Sequence, residues 1–177
     1  GVGFAVAEAM LAAKYNKPEF TVIDHYTYGL TSDGDLMEGV ASEAASLAGT
    51  LGLGKLIYLY DDNKITIEGS TDIAFTEDVE ARFKAYGWQV LRVADSEDIE
   101  AMEAAVKEAQ ADTEHPSLII VRTHIGYGSP KQDSASCHGE PLGAEALALT
   151  KEKAGWPVGQ PFYVPLTVSQ YFKNKLK

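Results

Sequence analysis

The sequence predicts an α/β fold: a doubly wound, mostly parallel sheet with helices on both faces. Two observations carry this. Short apolar segments at Tyr28–Thr31, Lys55–Tyr60, Trp88–Val93 and Ser117–Arg122 alternate with longer stretches of helical period, the pattern of a parallel sheet. Acidic turns, the glycine-containing Ser32–Gly39 and the Asn-containing Asp61–Ile65, follow the first two of these segments, at the strand ends where open α/β sheets bind ligands.

The elements follow in order. Phe4–Tyr15 is an alanine-rich helix whose apolar positions Val2, Val6, Ala9, Met10 and Ala13 recur at three- and four-residue steps, and residues 16–18 end it at Pro18. Phe20–Ile23 reads as a short strand or turn arm. The first core strand runs into Asp33. A helix over Met37–Leu51 carries small residues (Ala41, Ala44, Ala45, Ala48) suited to close packing, and Gly52 and Gly54 stop it. A buried-type strand, Leu56–Tyr60, leads to a β-arm or loop at Ile65–Gly69. Thr76 is a candidate N-cap for a helix reaching Tyr86, and Asp95 or Ser96 for one over Glu97–Ala111. A Gly/Ser/Pro-rich loop, Ile125–Gly143, precedes a helix over Ala144–Ala154 and an amphipathic end at Val168–Leu176. Residues 1–155 are therefore expected to form one α/β domain, and 156–177 an exit linker.

With 177 residues the chain is one domain's worth. Lys+Arg 15 against Asp+Glu 26 gives a net charge of −11, which argues against nucleic acid or an anionic membrane as partner, since both demand clustered basic residues. No apolar run is long enough to cross a bilayer. A single cysteine, Cys137, excludes an internal disulfide and points to a reducing compartment. The expected location is cytoplasmic, with a plastid as the alternative. Gly1-Val2-Gly3 already lies inside a helical pattern without an initiator methionine, so the chain reads as a piece of something longer.

Asp33 at one strand end and Asn63 at the next would face one crevice. An oxygen-rich pair there suits a hard cation such as Mg²⁺, which takes one or two carboxylates, waters and phosphate oxygens from a ligand. Each residue also has an ordinary reading. An Asp-Gly turn is most often a turn with a capping carboxylate, and Asn is a turn former.

Longer strings sharpen the choice. Asp33-Gly34-Asp35-Leu36-Met37-Glu38-Gly39, Tyr60-Asp61-Asp62-Asn63-Lys64-Ile65-Thr66-Ile67, Thr123-His124-Ile125-Gly126-Tyr127-Gly128-Ser129 and His138-Gly139-Glu140-Pro141-Leu142-Gly143 together resemble transketolase, a thiamine-diphosphate-dependent family. The resemblance covers nearly the whole chain and implies the family's diphosphate-binding N-terminal domain, here incomplete at its start. It implies that Asp33, Asn63 and the main-chain oxygen of Ile65 hold a divalent metal (Mg²⁺ or Ca²⁺), and that Gly34 lies against the diphosphate of thiamine diphosphate. It also implies that Ile67 and Ile125 pack on the cofactor. His138 would touch the diphosphate and act on the substrate side as the catalytic histidine. Glu38, beside the cofactor, and Glu43 would link the two active sites of a homodimer.

The implied reaction moves a two-carbon ketol unit from a ketose phosphate to an aldose phosphate, with the carbanion chemistry supplied by the cofactor. The pyrimidine-binding domain or subunit has no match here, so the 177 residues alone are expected to be inactive. Dihydroxyacetone synthase, or a non-catalytic binding module, are the alternatives. Two positions depart from the family pattern: Ser32 replaces the first glycine of a Gly-Asp-Gly triplet, and Asp35 stands where a small or neutral residue is usual. If position 32 needs positive φ, serine is costly there; Asp35 adds negative charge beside the diphosphate. Cys137, next to His138, is expected to be incidental to the chemistry.

Overall fold

The computed structural model describes residues 1–176. Four parallel strands, β1 (Thr27–Ser32), β2 (Leu56–Asp62), β3 (Gln89–Val93) and β4 (Ser117–Arg122), form one sheet in the order β1-β2-β4-β3. The helices are α1 (Val2–Tyr15), α2 (Asp33–Met37), α3 (Gly39–Thr50), α4 (Val79–Ala85), α5 (Ile99–Ala111), α6 (Ser136–Gly139), α7 (Ala144–Lys153) and α8 (Leu166–Lys175). The expected doubly wound α/β fold is the observed one.

Alternation along the central strands sorts side chains to two cores, because successive residues of a strand point to opposite faces. Leu56, Tyr60, Leu118 and Ile120 pack with Ala45 and Ala48 of α3 and Val79 and Phe83 of α4. Ile57, Ile119 and Val121 pack with Ala105 and Ala109 of α5. Burial on both faces explains why β4 is apolar from Leu118 to Val121.

The alanine side of α3 allows the close approach its sequence promised. A Cβ on Gly49 would lie 1.7 Å from the carbonyl oxygen of Tyr86, so only glycine fits there. On the same side the indole N–H of Trp88 donates to the Ala45 carbonyl at 2.8 Å.

Local boundaries differ from expectation at four places, each for a visible reason. Phe20–Ile23 forms no strand: the Asn16 side chain accepts from the amides of Val22 and Ile23 and donates to the Ile23 carbonyl, leaving only an isolated Lys17–Phe20 bridge. The helix expected over Met37–Leu51 is two helices, interrupted at Glu38, which is extended (φ −67°, ψ 132°). Asp78, not Thr76, caps α4, its carboxylate accepting from the Ala81 amide at 2.9 Å. Asp98, rather than Asp95 or Ser96, caps α5 by the same contact to Ala101, while Asp95 stabilises the preceding turn through the Glu97 amide. The amphipathic end expected at Val168–Leu176 forms α8.

Candidate functional site

β1 and β2 lie side by side in parallel register, Ser32 opposite Asp61. The residues that follow each strand therefore emerge together at the carboxyl edge of the sheet, bounding a cleft of about 920 Å³. Its walls include Asp33, Gly34, Glu38, Asn63, Ile65, Ile67, Ile125 and His138, so every residue of the expected cofactor and metal site meets in one place. Glu43 is exposed on α3 and is not part of the cleft wall.

Asp33 begins α2 and is 2% exposed. One oxygen, Oδ1, accepts a hydrogen bond from the Tyr60 hydroxyl; the other, Oδ2, is buried without a partner. Burial pushes the Asp33 carboxyl above the usual carboxylate range, opposed by the Tyr60 hydrogen bond and reinforced by the charge of Asp62. Tyr60 is held protonated by its own burial and by the Asp33 carboxylate. A buried acid with an unsatisfied oxygen is what a cation would relieve.

Asn63 is also buried, and a relay orients its amide. Thr123, at the end of β4, donates to Asp61, Asp61 accepts from the Asn63 Nδ2 at 3.2 Å, and the Asn63 Oδ1 accepts from the Ile65 amide at 2.9 Å. Among the described residues there is no group of three or more His, Cys, Asp and Glu placed to share a metal. The expected ligands offer instead one carboxylate, one amide oxygen and a main-chain carbonyl, all hard oxygens. Such a set fits Mg²⁺ or Ca²⁺ completed by phosphate oxygens, and disfavours a soft metal.

Apolar residues also line the cleft. Ile67 is 68% exposed and Ile73 76% exposed, and both line the cleft; neither is a core residue. Thr66 and Gly69 close the turn that carries Ile67, the Thr66 amide donating to the Gly69 carbonyl at 2.6 Å. Ile125 is fixed by its carbonyl, which accepts from the Asp133 amide at 2.9 Å. His138 is exposed on α6 at the cleft margin. The thiol of Cys137 donates to the Lys131 carbonyl at 3.1 Å, a contact that braces the loop. Beside Gly34 there is open space: a Cβ built there meets nothing within 4 Å.

The two departures prove to be one feature. Ser32 is extended (φ −128°, ψ 178°), a conformation open to any residue, so serine is unstrained. The Asp35 carboxylate turns back to accept from the Ser32 amide at 2.9 Å and the Ser32 hydroxyl at 3.2 Å, half of a capping box. Asp35→Ala is expected to destabilise the protein by about 1 kcal/mol through loss of this cap, measured by chemical denaturation. A loss much below that would mean that the contact contributes nothing.

Sequence reasoning missed Tyr60 and Ile73. A tyrosine inside a buried apolar strand must find an acceptor for its hydroxyl, which is the signal for Tyr60; the loop fold that brings Ile73 to the wall left no local signal.

Comparison with known proteins gives a consistent answer. Residues 1–177 match the family described as "Transketolase, thiamine diphosphate binding domain". The transketolase of Nostoc sp. is 55% identical over 179 residues, covering 100% of this chain and 27% of the relative. That of Geobacillus stearothermophilus is 54% identical, covering 97% and 26%. The crystal structure of Pichia stipitis transketolase in complex with sedoheptulose-7-phosphate superposes with a TM-score of 0.95 at 49% identity, covering 98% of this chain and 26% of that one. The chain thus spans about a quarter of the length of the relatives it matches.

Proposed function

We propose, from the premise that this chain belongs to the transketolase family and forms a thiamine diphosphate binding domain of it, that the cleft holds the cofactor's diphosphate through a divalent cation. Asp33, the Asn63 amide oxygen and the Ile65 carbonyl are its protein ligands, with Mg²⁺ the expected ion and Ca²⁺ the substitute. The observation that carries this reading is the convergence of these three residues, with Gly34 and the apolar residues Ile67 and Ile125, on one cleft.

Each residue has a physical task. Asp33 supplies the negative charge that the cation neutralises. Gly34 leaves room for phosphate to approach the backbone. Ile67 and Ile125 offer apolar surface to a ring and exclude water from it. His138 stands at the margin, where an imidazole can donate to a phosphate oxygen or move a proton to or from a sugar hydroxyl. When bound, thiamine diphosphate supplies stabilisation of the carbanion formed as the ketose is cleaved.

The whole protein is proposed to transfer a two-carbon ketol unit from a ketose phosphate to an aldose phosphate in the cytoplasm, as a homodimer. Glu38 and Glu43 lie toward the dimer contact, residues 156–177 lead to the pyrimidine-binding domain, and the isolated chain is inactive.

Gly34→Ala separates site from fold. The added methyl meets no protein atom within 4 Å, so folding stability should stay within about 1 kcal/mol of the parent. In the space left for the diphosphate the same methyl is overpacking, and thiamine diphosphate affinity should fall about tenfold or more. Calorimetric titration of the full-length protein with cofactor and Mg²⁺ measures it. Unchanged affinity would remove the diphosphate from this wall.

A further inference from the structure

Tyr60 is 2% exposed on β2, on the sheet face that packs against α3 and α4. It comes three residues before Asn63 and twenty-seven after Asp33 in sequence, yet its hydroxyl donates to Asp33 Oδ1. The other carboxylate in this neighbourhood, Asp62, is engaged by Lys64, whose ammonium lies 2.7 Å from Asp62 Oδ1. The charge of Asp62 also acts on the phenol, and the hydrogen bond the geometry gives is the one to Asp33. Asp33 is thus a carboxylate with its two oxygens in different states: Oδ1 accepts from the phenol O–H and Oδ2 is buried without a partner.

We propose that Tyr60 is a positioning residue that makes Asp33 a single-oxygen metal ligand and so biases the site toward Mg²⁺ over Ca²⁺. The inference rests on the metal-diphosphate reading given above. A hydrogen bond from a rigid ring in the core fixes the carboxylate plane and withdraws Oδ1 from coordination. Mg²⁺ demands near-octahedral geometry and uses one oxygen of each carboxylate; Ca²⁺ accepts six to eight oxygens and readily takes both oxygens of one carboxylate. Without the phenol proton, Asp33 is free to turn and to offer both. Hydrogen-bond partners of metal ligands set ligand orientation in this way in other sites, and their loss typically weakens metal binding about 10- to 100-fold.

The test is Tyr60→Phe in the full-length protein, which removes one hydroxyl and keeps the ring in the core. Affinities for Mg²⁺ and for Ca²⁺ are measured separately by calorimetric titration in the presence of thiamine diphosphate, alongside Tyr58→Phe. Tyr58 lies on the same strand but outside the cleft, so its variant should match the parent. For Tyr60→Phe, Mg²⁺ affinity should fall about tenfold or more while Ca²⁺ affinity falls less, raising the calcium-to-magnesium preference. A purely structural role would weaken both ions alike, so equal losses overturn the proposal, as does an unchanged Mg²⁺ affinity. If the parent protein binds neither ion, the metal reading itself fails and the role of Tyr60 with it. If the parent binds both and Tyr60→Phe binds them with the same preference, only the role of Tyr60 fails.

Discussion

Asp33→Asn in the full-length protein should lower two-carbon transfer by about 10²- to 10³-fold, the loss expected when a cation stabilised by several kcal/mol is no longer held. The same change should make the metal-free protein more stable. Asp33 is buried, with one oxygen satisfied by Tyr60 and the other unpartnered. A neutral amide at that position is less costly to bury than a carboxylate, by about 1 kcal/mol. The sign of the pH dependence follows from the raised Asp33 carboxyl. The folded chain holds this proton more tightly than the unfolded one, so the penalty is absent below the ordinary carboxylate value. It develops as pH rises through the raised value, once folding has to bury the charge. The stability gained by Asp33→Asn should therefore be small at about pH 4 and larger at about pH 7. Denaturant melts of parent and variant, without metal or cofactor, measure it at both. A variant that is inactive yet no more stable at neutral pH would show that the buried carboxylate is not strained in the empty site.

The largest loss of stability is expected at Trp88, away from the cleft. Its ring meets Phe83 edge-on with centroids 5.2 Å apart and lies 6.3 Å from the ring of Tyr58, and its N–H donates to the Ala45 carbonyl. One side chain thus joins α3, α4 and the sheet. Trp88→Ala should cost about 3–5 kcal/mol, a large share of the roughly 5–15 kcal/mol that stabilises a typical domain. Trp88→Phe keeps most of the packing and loses the hydrogen bond, and should cost about 1–2 kcal/mol. Equilibrium denaturation read by circular dichroism orders the three proteins. Equal losses for the two variants would place the energy in the hydrogen bond rather than in the packing.

What was legible in the sequence follows physical locality. The four strands announced themselves because each is a short apolar run bounded by turn residues, and all four appear within two residues of expectation. The placement of Asp33 and Asn63 at neighbouring strand ends was legible for the same reason. Helix starts were not, because several acidic or hydroxyl residues compete to cap one turn. Thr76 and Asp78 are both good caps in isolation, and only the bond to Ala81 decides between them. The interruption at Glu38 had no periodic signature, since the alanines of α3 continue the pattern past it. Tyr60 was hidden because its acceptor, Asp33, is supplied by the start of α2, distant in sequence. Ser32 and Asp35 looked like two separate anomalies, because spacing alone did not show that the carboxylate turns back onto the residue it caps.

The parallel pairing of β1 with β2 and of β2 with β4 has a kinetic corollary. The cleft draws on positions 33, 63, 125 and 138, which are far apart along the chain. Adjacent parallel strands cannot be joined by a tight turn and must wait for a crossover to close. Contacts of this kind form slowly and late, after local helices. Nucleation on α3 or α5 leaves these residues scattered, so the proposed capacity to hold an ion would arise only when the sheet has closed. On the proposed metal reading, ion capture during refolding would report completion of the fold rather than its onset.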